Sequence, residues 1–277
     1  SAPSLIIKKM IKFEQTTPEG VPLLEILMLG TGNAFAKKYF NNNALLYRGD
    51  YTLLIDCGVT APLSLYKIGL PLDAINAIII THIHADHTGG LEEFAYRMKF
   101  QYRGKPVLYV PDTLVEMLWD HSLRGGLEQG NWRSLDAYFE VRRIREGEPV
   151  DLHDGLAVEI IRTEHIPGKL SYSLLFNNSF FYTSDMKFDP ELVTDLVRKR
   201  GCVVFHDCQF VSPGEVHASL EELLTLPEDV QSKIYLMHYA DDRERYEGRT
   251  GRMRFVEQHV RYAISDGKAV PVSTIDA

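Results

Sequence analysis

Asn76-Ala77-Ile78-Ile79-Ile80-Thr81-His82-Ile83-His84-Ala85-Asp86-His87-Thr88-Gly89-Gly90 is the segment on which the other assignments in this chain depend. Ile78, Ile79 and Ile80 form an unbroken β-branched run, the pattern of a strand buried on both faces. The strand is expected to stop at Thr81. His82, His84, Asp86 and His87 then supply potential metal ligands before Gly89 and Gly90 let the chain turn into a helix. Alternation sends His82 and His84 the same way off an extended segment, while Asp86 and His87 follow where the backbone turns and can face a second ion beside the first. Imidazole and carboxylate suit zinc, manganese or iron, and the absence of cysteine from the cluster argues against a purely structural zinc. The plain alternative is a histidine-rich surface loop. Its position at the carboxyl end of a buried strand, where α/β proteins place their sites, favours the metal reading.

His82-Ile83-His84-Ala85-Asp86-His87 resembles the His-x-His-x-Asp-His signature of metallo-β-lactamase-fold proteins. The resemblance implies an α/β fold, an αββα sandwich of two mixed sheets flanked by helices. No composition shift marks a linker, so residues 1–277 are expected to form one domain with two similar strand-then-helix halves.

Composition bounds the function. At 277 residues and 45% hydrophobic content the chain can bury a sizeable core. Lys and Arg number 30 against 38 Asp and Glu, a net charge of −8, which argues against a long nucleic-acid footprint. A small anionic substrate held by metal ions is compatible with it. Cys57, Cys202 and Cys208 are too few and too scattered for a disulfide framework, so a reducing cytoplasm is expected. No apolar run is long enough to span a bilayer. The amino end, with Lys8, Lys9 and Lys12 interleaved among Ile6, Ile7, Met10 and Ile11, lacks a signal-peptide core.

Along the chain, Leu23 to Leu29 reads as the first core strand, after a turn at Thr17-Pro18-Glu19-Gly20 and an edge strand across Leu5 to Phe13. Gly30-Thr31-Gly32-Asn33-Ala34-Phe35 follows; its Gly-x-Gly fits either phosphate binding or a tight turn. Ala44 to Tyr47 and Tyr51 to Asp56 form a hairpin, and Thr60 to Ile68 a helix closed by Gly69. Leu91 to Phe100 and Thr113 to Leu123 read as helices around a strand at Val107 to Val110. The basic and aromatic run Tyr96, Arg97, Lys99, Tyr102, Arg103 and Lys105 reads as packed rings with solvated cations rather than a nucleotide surface. Gly125-Gly126 through Trp132 has the composition of a mobile loop, placed where a lid or a partner contact is expected. Tyr138 to Ile144, Glu148 to Leu152 and Leu156 to Arg162 read as strands, with Asp154-Gly155 as a hairpin turn.

The resemblance supplies the remaining ligands. His165 follows a strand, as His82 does; Ser184-Asp185 looks like the Ser/Gly-Asp motif whose carboxylate bridges two ions; His238 follows the strand Ile234 to Met237. By resemblance His82, His84 and His165 hold one ion, Asp86, His87 and His238 the other, and Asp185 lies between them. The two divalent ions are expected to be zinc, with manganese or iron compatible. Asp185 also fits a helix N-cap, but Asp189-Pro190 is the better cap for the helix running to Arg198. Asp56-Cys57-Gly58 is similar to an Asp-x-Gly that braces the metal-binding loop; a strand-end cap is the alternative. Aspartate rather than cysteine at 185 points to the phosphodiesterase branch.

His206-Asp207-Cys208-Gln209-Phe210 and Glu215-Val216-His217-Ala218-Ser219 resemble two RNase Z motifs, His-Glu-Ala-Thr-Phe and His-x-Ser/Thr. Carried over by position, Asp207 orients His217, which protonates the leaving group, and Asp86 orients or deprotonates the attacking water. His217 also fits as a cap of the helix Ala218 to Leu226. Against RNase Z itself, His165 and Asp185 are 185 − 165 = 20 positions apart, leaving no room for the long tRNA arm. Ala36-Lys37-Lys38-Tyr39-Phe40 replaces the Pro-x-Lys-x-Arg of the first loop, and the chain is acidic.

An RNase Z-like core without its arm is similar to the anti-Pycsar family over Leu23 to Ile264. That implies a di-metal phosphodiesterase opening 3′,5′-cyclic mononucleotides (cCMP, cUMP, cAMP, cGMP), countering cyclic-nucleotide immune signalling as a homodimer. Phe35, Arg243 and His217 are the expected substrate contacts, with Asp241 to Gly251 as a loop near the cleft. The alternatives are an RNase Z-type tRNA 3′-processing endonuclease and a non-catalytic nucleotide sensor.

Overall fold

The computed structural model describes residues 23–275. The edge strand expected at Leu5 to Phe13 and the turn at Thr17 to Gly20 lie outside them. Two mixed sheets carry the fold. The first is built from β1 (Leu24–Met28), β2 (Ala44–Arg48), β3 (Tyr51–Ile55), β4 (Ala77–Ile79), β5 (Val107–Pro111) and β6 (Glu140–Ile144). The second follows in the chain with β7 (Val150–His153), β8 (Leu156–Thr163), β9 (Ser171–Phe176), β10 (Phe180–Tyr182), β11 (Val203–Asp207), β12 (Ile234–Met237) and β13 (Arg254–Phe255). The chain then returns to the first sheet with β14 (Val260–Ser265) and β15 (Lys268–Thr274). The strand orders are β15-β14-β1-β2-β3-β4-β5-β6 and β13-β12-β11-β10-β9-β8-β7.

Each sheet is antiparallel in one part and parallel in the other. β3 to β6 run parallel, as do β10 to β13. β8 and β10 both pair antiparallel with β9, so they point the same way. The carboxyl ends of β8, β10, β11 and β12 therefore share one rim, and the residues that follow them are delivered to one place.

Burial explains the strands. In β11, Val203 and Phe205 face the core between the sheets, while Val204 faces the layer beneath the helix Pro190–Arg200. Phe205 meets Phe180 and Tyr262 edge-on and also contacts Tyr235, tying both sheets together. That helix forms where its signals predict: Asp189 accepts from the Leu192 backbone N–H at 3.0 Å, Pro190 fills the first turn, and Gly201 closes it at φ 69°.

One hairpin goes beyond the expected strands, and two expectations are corrected. β14 and β15 form a further hairpin around Asp266-Gly267 that the sequence reading did not assign. Gly125 to Trp132 is not an open lid: Arg124–Leu127 continue a helical run, Gln129 bridges Trp132, and Trp132 packs 5.4 Å from Phe100. Glycine composition there misled because packing on Tyr96, Phe100 and Tyr138 supplies the order. Arg103 and Lys105 are exposed as expected, but Lys99 is only partly so; it lies over the rings of Trp132 and Tyr138 and donates to the Ala137 carbonyl.

Because Phe205 fills the space between the sheets, Phe205→Ala is expected to cost roughly 3–5 kcal/mol. A lowered urea midpoint at unchanged slope reads it out, and a loss below about 1 kcal/mol would contradict this account of the core.

Candidate metal centre

β4 leaves its buried run at Ile79 and delivers His82 and His84 from extended backbone, after which the short helix Ala85–Thr88 carries Asp86 and His87. Two residues beyond β8 stands His165, three beyond β10 stands Asp185, and immediately after β12 stands His238. Both sheets thus contribute. His82, Asp86, His87, His165, Asp185 and His238 are all buried, and His84 is partly open.

These side chains fall into two overlapping groups. His82 Nε2 lies 3.0 Å from His84 Nδ1, which lies 3.4 Å from His165 Nε2; both Nε2 atoms are 3.7 Å from Asp185 Oδ2. In the second group, His87 Nε2 is 3.3 Å from both Asp86 Oδ2 and Asp185 Oδ1, and His238 Nε2 is 3.6 Å from Asp86 Oδ2 and 3.4 Å from Asp185 Oδ2. Asp185 belongs to both.

The hydrogen bonds at the back of each ring set which nitrogen faces inward. His165 Nδ1 donates to the Val216 carbonyl at 2.7 Å, and His87 Nδ1 donates to Asp56 at 2.7 Å. Thr81 Oγ1 gives its hydrogen to Asp56 and so accepts from His82 Nδ1 at 3.1 Å. Each leaves an Nε2 pointing at its neighbours, the arrangement of imidazoles that ligate a cation. His87 Nε2, His238 Nε2 and Asp185 Oδ1 are buried without a hydrogen-bond partner. Converging lone pairs and orphaned buried atoms are what a pair of divalent ions would satisfy, so the residues present fit such a centre.

Protonation follows burial and charge. Burial and the neighbouring His87 hold His82 well below the usual imidazole range; burial and His165 lower His84 to about 4. Burial also opposes charge on His87, but Asp185, Asp86 and Asp56 outweigh it and hold His87 well above that range. Burial would raise Asp185, yet His238, His87 and His82 keep it well below the usual carboxylate range.

Asp56 braces the loop. Wholly buried, it accepts from the Thr81 backbone and hydroxyl at 2.9 and 2.7 Å as well as from His87. It stands at φ 58°; Ser184 and His238 share the left-handed region at 51° and 59°. Such backbone is rare outside glycine and clusters where a site demands it.

His217 and Asp207 come together beside the second group. His217 Nδ1 donates to Asp207 Oδ2 at 2.8 Å, and both residues offer atoms within 4.8 Å of Asp185 and His238. Burial would lower His217, but the hydrogen bond and charge of Asp207, with Asp185 behind, raise it to about 9. It does not cap the following helix; Ser219 and Glu222 do, in a reciprocal capping box. Aspartate therefore spans the gap for which glutamate was the expected residue. His206, which opens that motif and was given no role of its own, is wholly buried; its Nδ1 donates to the Asp207 backbone carbonyl at 2.8 Å and lies 3.3 Å from Asp207 Oδ1. Its place beside Asp207 on β11 was the available signal.

The expected substrate contacts Phe35 and Arg243 lie outside these groups. Phe35 is 84% exposed on the loop after β1, where Asn33 accepts from its backbone. Arg243 is paired with Glu257 and Glu247 and lies over the Phe255 ring. The two loops meet through Asp241, which accepts from the backbones of Lys37 and Lys38.

Asp56→Asn keeps the shape but removes the charge behind His87, so metal affinity is expected to fall roughly 10- to 100-fold with the fold retained. Titration of metal-free protein, with circular dichroism as control, measures it; unchanged affinity would contradict the bracing role. Since Asp185, Asp86 and Asp56 hold His87 well above the usual imidazole range and a ligand must be neutral, affinity should rise with pH up to that raised pKa, with proton release on binding. Calorimetry in buffers of different ionisation enthalpy counts those protons.

Comparison with known proteins agrees with this architecture. The family model for Anti-Pycsar protein Apyc1 matches residues 24–262. The Anti-Pycsar protein Apyc1 of Paenibacillus sp. (strain J14) is 57% identical over 243 residues, 87% of this chain and 99% of that protein. That of Bacillus phage vB_BsuM-Goe3 is 44% identical over 250 residues, covering 84% and 96%. The metallo-β-lactamase fold protein YhfI from Bacillus subtilis aligns with a TM-score of 0.69 at 17% identity, over 87% of this chain and 99% of that one, a likeness of fold. This chain, with the metallo-β-lactamase fold, belongs to the anti-Pycsar Apyc1 family.

Proposed function

We propose that this metal-dependent hydrolase opens 3′,5′-cyclic mononucleotides to nucleoside monophosphates. The observation that carries the reading is the pair of donor groups sharing Asp185. His82, His84 and His165 would hold one divalent ion and Asp86, His87 and His238 a second, with Asp185 available to both and zinc as the proposed metal. Two such ions would make a water acidic enough to attack and neutralise charge growing at phosphorus.

The chain's own residues do the rest. Asp86 is held below the usual carboxylate range because His87 and His238 outweigh its burial, so it is ionised and able to orient the attacking water. His217, with Nδ1 engaged by Asp207, presents Nε2 as the proton donor for the departing sugar oxygen. β8 and β9 are joined by residues 164–170 alone, too short a connection for an arm of the kind that grips tRNA. A small substrate needs no such arm, and membership of the anti-Pycsar family supports a cyclic nucleotide.

The direct test is incubation of metal-loaded protein with cyclic CMP, UMP, AMP and GMP and with a tRNA precursor, with products separated by chromatography. Cleavage of the cyclic nucleotides is expected; cleavage of tRNA alone would sink the reading. His217→Ala should lower kcat by roughly 10²- to 10⁴-fold on a cyclic nucleotide and far less on a p-nitrophenyl phosphodiester, whose leaving group needs no proton. The acid form of His217 exists below its raised pKa, so activity should fall as pH climbs towards about 9. Cations in the centre would move that limb downward, and Asp207→Asn should move it lower still. A pH–rate profile unaltered by Asp207→Asn would rule out the relay.

A further inference from the structure

His238 differs from the other buried imidazoles of the centre in how it is held. His82, His87 and His165 each have a partner behind the ring: the Thr81 hydroxyl, Asp56 and the Val216 carbonyl. Among the described residues His238 has none, although its Nε2 faces Asp86 and Asp185. Backbone aims it instead. It stands at φ 59°, and its successor Tyr239 is pinned by the segment that follows β1. The Tyr239 N–H donates to the Thr31 carbonyl and the Asn33 N–H to the Tyr239 carbonyl, each at 3.1 Å. The wholly buried Tyr239 ring meets Tyr39 edge-on at 5.0 Å, and its hydroxyl donates to the Val256 carbonyl at 2.8 Å.

Residues 31–40 are in turn held by side chains that accept from their backbone. Asn33 Oδ1 accepts from Phe35 at 3.0 Å and Ala36 at 2.9 Å, and Gln258 Oε1 from Phe40 at 2.7 Å. The Asp241 carboxylate accepts from Lys37 at 2.9 Å and from Lys38 at 2.8 Å. Gly30 and Gly32 let the segment fold this tightly: a Cβ at Gly30 would lie 2.2 Å from the Asn41 carbonyl oxygen, and one at Gly32 would lie 2.6 Å from Cβ of Ala36. Of these acceptors Asp241 alone lies on the His238 loop, three positions beyond the ligand. The segment is therefore fastened to that loop at two places, 31–33 on Tyr239 and 37–38 on Asp241. A carboxylate receiving two backbone N–H groups makes the second fastening a strong one.

Resting on the two-ion reading, we infer that Asp241 is a positioning residue for His238. By closing residues 31–40 onto residues 239–241, it fixes the backbone from which the imidazole reaches the second ion. Asp241 is not itself a ligand. Its effect falls on one ion, because His82, His84 and His165 are carried by other elements.

The test is calorimetric titration of zinc into metal-free wild type, Asp241→Ala, Asp241→Asn and His238→Ala. His238→Ala identifies the binding event that belongs to the second ion. That event should weaken roughly tenfold to a hundredfold in Asp241→Ala while the other changes less than about threefold, and Asp241→Asn, which keeps an acceptor oxygen, should recover most of the loss. Asn177→Ala removes an acceptor from the Ala157 N–H at the far end of β8 and should leave both events unchanged, which separates positioning from general loss of stability. The assignment is overturned if Asp241→Ala weakens neither event or both equally, or if Asn177→Ala reproduces its effect. Amide exchange in metal-free protein reads the brace without any ion: the Asn33 and Tyr239 N–H groups should exchange about tenfold faster in Asp241→Ala. If wild type binds fewer than two ions the two-ion reading fails, and unchanged exchange at these two amides would then count against Asp241 by itself.

Discussion

Four carboxylates, Asp56, Asp86, Asp185 and Asp207, are buried at one rim of the sandwich, and among the described residues the positive charge set directly against them is imidazolium. Burying an ionised carboxylate costs several kcal/mol unless it is paired and hydrogen-bonded. That deficit organises the region. It holds His87 and His217 above their usual ranges, turns the imidazoles so that one nitrogen is anchored and the other faces inward, and leaves polar atoms that protein groups do not satisfy. A pair of divalent cations is the economical resolution, because each ion satisfies several lone pairs at once.

The sheets exist, in this sense, to deliver those charges. A parallel strand ends where its neighbour ends, so β10, β11 and β12 present Asp185, Asp207 and His238 along a common edge without long supporting loops. The same alternation that buries Phe205 between the sheets aims Asp207 inward two residues later. Packing and chemistry are set by one periodicity, and a slip of one residue in β11 would lose both.

Much of this was legible in the chain. The Ile78 to Ile80 run and the ligands that follow it, the Asp189-Pro190 cap and the Asp154-Gly155 turn are local signals, each read from a few adjacent residues. Asp185, His238 and the Asp207–His217 pair needed a resemblance, because one residue after an apolar strand has no signature of its own. What stayed hidden depended on partners remote in sequence: Trp132 ordering a glycine-rich segment from its place on Phe100, Arg243 drawn to Glu257, and His206 standing against Asp207. The hairpin of β14 and β15 was missed for a different reason. It closes the first sheet on β1, from the opposite end of the chain.

The left-handed backbone at Asp56, Ser184 and His238 bears on how this protein can change. Such conformations cost on the order of 1–3 kcal/mol each, and glycine would relieve most of it. Yet glycine at 56 would strip the support from His87, at 184 the hydroxyl that meets Thr81 at 2.8 Å, and at 238 an inward-facing imidazole. The substitutions that would most readily harden the chain are therefore those its chemistry forbids. A library selected for heat resistance alone should drift towards glycine at these three corners and lose the centre, while one selected for turnover should keep the strain and recover stability elsewhere.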